Sequence, residues 1–201
     1  MKTVVIENPI LNSPFEMPRR HFKFNDEGIT DEVVQSRRPS SYFVPIASPK
    51  KKGKQLTFDT TWTQDRAKEN DDINFIRSRV ALWRDQGYPG ITPVTRSLLE
   101  YWTRLDRERR LFFCQIEALE TLIYLTEAAS KSNDEHIFNQ LRDAAAAAGT
   151  PLLRLAAKMA TGAGKTIVMA MLIAWNTLNR LAYPSSGRFS DAFLIVTFRV
   201  P

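Results

Sequence analysis

One cysteine and two histidines occur in 201 residues. A single thiol, Cys114, cannot close an internal disulfide, and it suits a reducing compartment. By itself it reads as a small apolar residue in a core. The same shortage removes zinc-finger spacing, because a structural zinc needs a full tetrahedron of Cys and His. No run of about 18 apolar residues occurs, so hydropathy offers no transmembrane helix. Met1-Lys2-Thr3-Val4-Val5-Ile6-Glu7 lacks the long apolar stretch of a secretory signal. These absences point to a cytoplasmic chain with no membrane partner. Acidic charge is also short: 22 Asp and Glu face 28 Lys and Arg, a net charge of +6. That balance favours polyanions, nucleic acid first among them, although many solvated surfaces carry as much.

Glycine is scarce too, at 8 residues, yet two glycines fall in one short stretch, Met159-Ala160-Thr161-Gly162-Ala163-Gly164-Lys165-Thr166. Leu152-Leu153-Arg154-Leu155-Ala156-Ala157-Lys158 before it suits a buried strand. Ile167-Val168-Met169-Ala170-Met171-Leu172-Ile173-Ala174-Trp175 after it suits a helix buried on most sides. Strand, glycine turn and helix are the context of a phosphate-binding loop. Gly162 and Gly164 let backbone N–H groups approach phosphate oxygens, and the positive helix end favours the anion. Thr161, Gly162, Ala163, Gly164, Lys165 and Thr166 therefore form the expected nucleotide contact. Lys165 reaches the β- and γ-phosphates of ATP, and the Thr166 hydroxyl binds Mg²⁺. The first position of the usual pattern is Gly, and here it is Met159. A competing reading is a glycine-rich strand–helix turn with an exposed lysine.

Hydrophobic content of 43% is enough for a core, and the chain reads as three regions. Residues 1–63 carry prolines at 9, 14, 18, 39, 45 and 49, which forbid long helices. Short extended segments wrapping another surface are expected there, with Gln55-Leu56-Thr57-Phe58 as a strand. The run Lys50-Lys51-Lys52-Gly53-Lys54 reads as a solvated loop. Residues 64–149 look helical. Ile73, Ile76, Val80 and Trp83 share one helix face, and Gly87-Tyr88-Pro89-Gly90 ends that helix. Thr92 caps the next one, with Pro93 at its first position. A third helix spans about 110–128. Ser132 and Glu135 form a capping-box pattern for a fourth, which Gly149 stops. Residues 150–201 begin an α/β core: strand, loop, helix, then a second strand over Phe193-Leu194-Ile195-Val196-Thr197. A strand–helix–strand unit of this kind predicts a parallel sheet.

Met159-Ala160-Thr161-Gly162 ahead of Ala163-Gly164-Lys165-Thr166 resembles motif I of superfamily 2 DEAD/DEAH-box helicases, in particular the helicase subunits of type III restriction enzymes. Arg110-Leu111-Phe112-Phe113-Cys114-Gln115-Ile116-Glu117-Ala118-Leu119-Glu120-Thr121 resembles the Q-motif region of that group. The leader is similar as well, over Asn8-Pro9-Ile10-Leu11-Asn12-Ser13-Pro14-Phe15, over Arg37-Arg38-Pro39-Ser40-Ser41-Tyr42-Phe43-Val44-Pro45, and from Leu82-Trp83-Arg84 to Arg96. The resemblance implies an ATP-dependent helicase or translocase acting on double-stranded DNA within a restriction endonuclease, alongside a DNA methyltransferase subunit. It implies a RecA-like P-loop domain beginning at about residue 150 and cut short at Pro201. It also implies that Gln115 contacts adenine, since an amide can accept from N6 and donate to N7. Without the resemblance, Gln115 reads as a polar residue on an amphipathic helix. Phe112 or Phe113 could stack on the base, although core packing suits both.

The motor chemistry of that group needs an Asp-Glu box for Mg²⁺ and water, plus transition-state arginines. Asp191 is the one carboxylate after Thr166, and it precedes the second expected strand. The chain alone is therefore expected to bind ATP without productive turnover. Two readings from other classes compete: a small P-loop kinase, and a non-catalytic nucleic-acid-binding or assembly module whose loop is vestigial.

Overall fold

The computed structural model describes residues 6–25, 28–44, 46–49, 56–59, 67–132, 134–147, 149 and 155–196. The fold is mixed α and β, with antiparallel pairs early in the chain and helices later. It divides into two compact units, Met1–Arg77 and Ser78–Pro201.

Among its described residues the first unit holds three two-stranded antiparallel sheets. β1 (His21–Asn25) pairs with β2 (Gly28–Val34), and the register shifts between Phe22 and Phe24. β3 (Ser41–Phe43) pairs with a late strand, β6 (Ala67–Glu69). β4 (Ile46–Pro49) pairs with β5 (Leu56–Asp59). The prolines do exclude helices from the described residues before Asp71. The extended segments pair with one another, however, and the expected helical region from 64 opens with a strand. Asn74 in the next helix holds that strand's neighbour, because its Oδ1 accepts from the Ser40 N–H at 2.7 Å. The expected strand over 55–58 appears as β5, with Gln55 outside the described residues. The lysine run at 50–54 also lies outside them.

α1 (Asp71–Asp85) runs from the first unit into the second. The second unit contains α2 (Pro93–Thr103), α3 (Phe113–Ile123), α4 (Glu135–Ala147) and α5 (Lys165–Ala182). Its core follows helical spacing. Thr95, Leu99 and Trp102 are buried on α2; Gln115, Leu119 and Ile123 on α3; Val168, Met171, Trp175 and Asn179 on α5. Each large apolar side chain so buried contributes about 1.5–3 kcal/mol. α2 and α3 both pack on α5, so the helix that follows the glycine loop is held from two sides. Thr92 caps α2 as expected, its hydroxyl accepting from the Thr95 N–H at 3.1 Å.

α3 does not stop where a regular helix would. It passes into one π-helical turn, Tyr124–Ala128, and a 3₁₀ turn, Ala129–Lys131. Ser132 closes this element and does not cap α4: its hydroxyl donates to the Ala128 carbonyl at 2.9 Å. The Ala128 carbonyl also accepts the Ser132 N–H at 3.1 Å, so side chain and backbone of Ser132 both close the preceding helix end.

The expected parallel sheet is not among the described residues. Residues 155–158 and 193–196 carry no strand, and all sheet pairs are antiparallel. Leu194 is 89% exposed and Val196 70%. A strand's hydrogen bonds must come from a neighbour, and neither segment has one among the described residues. No helix of the described residues is long and apolar enough to cross a membrane.

Candidate functional site

Before α5 the backbone folds into a tight loop. The Ala163 N–H donates to the Ala160 carbonyl at 3.3 Å. Gly162 and Gly164 have φ of 79° and 74°. Any other residue there costs about 1–2 kcal/mol, from Cβ against carbonyl oxygen. Gly164 is the N-cap of α5, and Lys165 its first residue. The N–H groups of Gly162, Gly164, Lys165 and Thr166 have no acceptor among the described residues. At a helix start such donors await capping groups, water or an anion. Thr161, Gly162, Lys165 and Thr166 are exposed, and Ala163 and Gly164 half-buried. The Lys165 ammonium donates to the carbonyls of Ala160 at 2.8 Å and Met159 at 3.3 Å. It thus rests on oxygens of its own loop, and those neutral contacts are ones that a phosphate can replace.

Gln115, 50 residues before Lys165 in sequence, is brought against this loop. It is 3% exposed and lies on the buried stripe of α3. Its Nε2 donates to the Ala163 carbonyl at 3.1 Å. Its Oε1 accepts from the Phe112 N–H at 2.9 Å, at the start of its own helix. A Cβ on Gly164 would stand 2.2 Å from Gln115 Nε2. The positive φ therefore favours glycine at this position, and a Cβ there would in addition have to displace the Gln115 amide. Beside Gln115, Phe112 is partly exposed and Phe113 half-buried. Cys114 is exposed, contrary to its expected place in the core. Gln115 and Leu119 occupy the inward stripe, and Cys114, one residue before Gln115, is turned away from it.

Two buried polar clusters fix the elements around the loop. Glu127, on the π turn, is fully buried. Its carboxylate accepts from the Thr92 N–H at 2.9 Å, the Thr95 hydroxyl at 2.6 Å and the Trp175 indole N–H at 2.7 Å. Asn179 extends this cluster: its Oδ1 accepts from the Thr92 hydroxyl at 2.5 Å, and its Nδ2 donates to Thr95 Oγ1 at 3.0 Å. No Lys or Arg pairs with Glu127 among the described residues. The positive end of α2, which starts at Thr92, compensates the carboxylate instead. The cluster ties the π turn, the start of α2 and the loop's own helix together.

The second cluster joins α1 to α3. Arg84 donates from Nε and Nη2 to Glu120, which is fully buried, and its guanidinium lies 5.3 Å above the Phe113 ring. The Tyr88 hydroxyl also donates to Glu120, at 2.6 Å. Burial, then the Glu120 carboxylate, push the Tyr88 hydroxyl well above the usual tyrosine range. Tyr88 holds this position with φ of 58°, a left-handed conformation rare for an aromatic residue.

The structure thus places Gln115 with 159–166 and leaves Asp191 exposed in a bend after α5. Among the described residues no group of three or more His, Cys, Asp or Glu could hold a metal ion. That is compatible with Mg²⁺ taken by Thr166, because the ion usually binds one or two protein groups plus phosphates and water. Sequence reasoning missed Glu127, Thr95, Trp175 and Asn179. Their one signal was polarity on an apolar stripe: Asn179 continues the spacing of Val168, Met171 and Trp175. Comparison with protein-family models, curated proteins and solved structures gives no match to this chain.

Proposed function

We propose that this chain binds the phosphates of ATP with Mg²⁺ at residues 159–166, as the N-terminal part of an ATP-dependent DNA helicase or translocase subunit of a type III-like restriction endonuclease. One observation carries the nucleotide reading: four backbone N–H groups with no acceptor among the described residues, those of Gly162, Gly164, Lys165 and Thr166, lie at or just before the start of an 18-residue helix whose first residue is Lys165. Lys165 exchanges the Ala160 and Met159 carbonyls for the β- and γ-phosphates, a stronger charge-assisted contact. Thr166 Oγ1 takes the metal. Gln115 holds the loop through the Ala163 carbonyl, and contact of its amide with adenine belongs to the same reading, which requires the buried side chain to turn toward the base. In this reading the apolar segments 155–158 and 193–196 are neighbouring strands of a parallel P-loop sheet that further strands complete. Double-stranded DNA is the substrate of the whole assembly, a methyltransferase subunit its companion, and the cytoplasm its compartment. Binding without turnover is proposed for this chain alone.

Titration of a fluorescent ATP analogue with and without Mg²⁺ tests the reading. Lys165→Ala is expected to weaken binding at least about tenfold, the scale of one lost charge-assisted contact. Equal affinity of the two chains would refute it. A DNA-stimulated ATPase rate abolished by Lys165→Ala would refute the absence of turnover.

A further inference from the structure

In the first unit, a groove of about 360 Å³ runs between the segment 9–12 and the β1–β2 hairpin. Its walls are tied together. Asn12 Oδ1 accepts from the N–H groups of Arg19 and Arg20, at 2.9 and 3.1 Å, and Asn12 Nδ2 donates to the Arg20 carbonyl at 2.9 Å. Arg20 returns a guanidinium hydrogen bond to the Leu11 carbonyl. Ile10, 74% exposed, contributes apolar surface with Phe24. The Arg38 guanidinium carbon lies over the Phe24 ring, 4.3 Å from its centroid. His21 Nδ1 donates to the Ser36 carbonyl at 2.7 Å, which leaves Nε2 for another partner. Two guanidinium groups line this groove, and among the described residues that line it there is no carboxylate.

We infer that this groove binds a strand of single-stranded nucleic acid. Electrostatic complementarity requires an anion, and the polymer with regularly spaced anions and flat apolar faces is a nucleic acid. Phosphates meet Arg20 and Arg38, whose planar forks suit them. An unstacked base meets the apolar surface at Phe24 and Ile10, and the Arg38–Phe24 pair is a preformed stacking platform. A duplex hides its base faces within the stack, so the single strand is the form that fits. An acidic peptide offers charge without the flat faces. The site lies apart in sequence from the glycine loop, and its inference does not rest on ATP binding.

Fluorescence anisotropy of a labelled oligodeoxythymidylate, titrated with the full chain over a salt series, tests the inference. The double variant Arg20→Gln/Arg38→Gln is expected to weaken binding about tenfold or more at low salt. It should also reduce the slope of log K against log salt by about 1.4, or about 0.7 for each phosphate lost. Phe24→Leu keeps the groove apolar but removes the ring, and is expected to weaken binding at least about fivefold. Arg109→Gln/Arg188→Gln removes the same charge at two exposed residues elsewhere and should change affinity less than about twofold. Lys165→Ala should leave binding unchanged, which separates this inference from the nucleotide proposal. A circular-dichroism melt confirms that each variant is folded. Oligouridylate in place of oligodeoxythymidylate tells RNA from DNA as the source, and binding of either supports the site. Equal losses from the two arginine pairs would reduce the effect to net charge and overturn it. So would absence of binding by the unaltered chain, or displacement of the oligonucleotide by polyglutamate at equal charge concentration.

Discussion

Replacing Gly164 with alanine imposes two separable penalties. The first is local: φ of 74° at Gly164 costs an L-residue about 1–2 kcal/mol. The second is tertiary. The new Cβ would lie 2.2 Å from Gln115 Nε2 and must displace that amide. Displacement breaks Gln115's bonds to the Ala163 carbonyl and the Phe112 N–H, each worth about 0.5–1.5 kcal/mol. Gly164→Ala is therefore expected to destabilise the chain by about 2–5 kcal/mol. Gly162 has nearly the same φ, 79°, but nothing within 4 Å of its missing Cβ. Gly162→Ala should thus show the local penalty alone, about 1–2 kcal/mol. Gln115→Ala provides the decisive background. With the amide gone, Gly164→Ala should fall to the cost of Gly162→Ala, a coupling of about 1–3 kcal/mol. Urea unfolding followed by far-ultraviolet circular dichroism gives these differences. If Gly164→Ala costs the same with and without Gln115, the amide is not packed on the loop in solution and the reasoning fails.

Glu127→Gln keeps the shape of the buried cluster but places an NH₂ group against donors, and should cost about 2–4 kcal/mol in urea unfolding; a change under about 0.5 kcal/mol would mean that the three donors have other acceptors. Arg84→Met leaves the fully buried Glu120 without its cation and should destabilise by about 3–5 kcal/mol, with Arg84→Met/Glu120→Gln recovering part of the loss. Tyr88 binds its proton more tightly in the folded chain than in the unfolded one, so its contribution is complete below about pH 10 and is lost as pH rises beyond that. The urea midpoint should accordingly fall through the alkaline range, and Tyr88→Phe should make that fall shallower; an unchanged slope would sink the assignment.

The sequence by itself determined what short-range chemistry controls. The glycines of 162 and 164, Lys165 and the apolar run after them specified a loop entering a helix, because φ limits and helical hydrogen bonds act within a few residues. The cap at Thr92 with Pro93 was legible for the same reason. Only tertiary structure decided what depends on partners distant in the chain. Gln115 could be read as a polar helix residue until the Ala163 carbonyl stood beside its amide. Glu127 gave no sign that α2's start and Trp175 would enclose it, because the π turn that carries it has no sequence signature of its own. Cys114 shares its neighbours' apolar character, yet helix phase turned it outward. Residues 155–158 and 193–196 have strand composition but no strand. A helix closes its hydrogen bonds within itself, whereas a strand takes them from a neighbour, and here the described residues supply none.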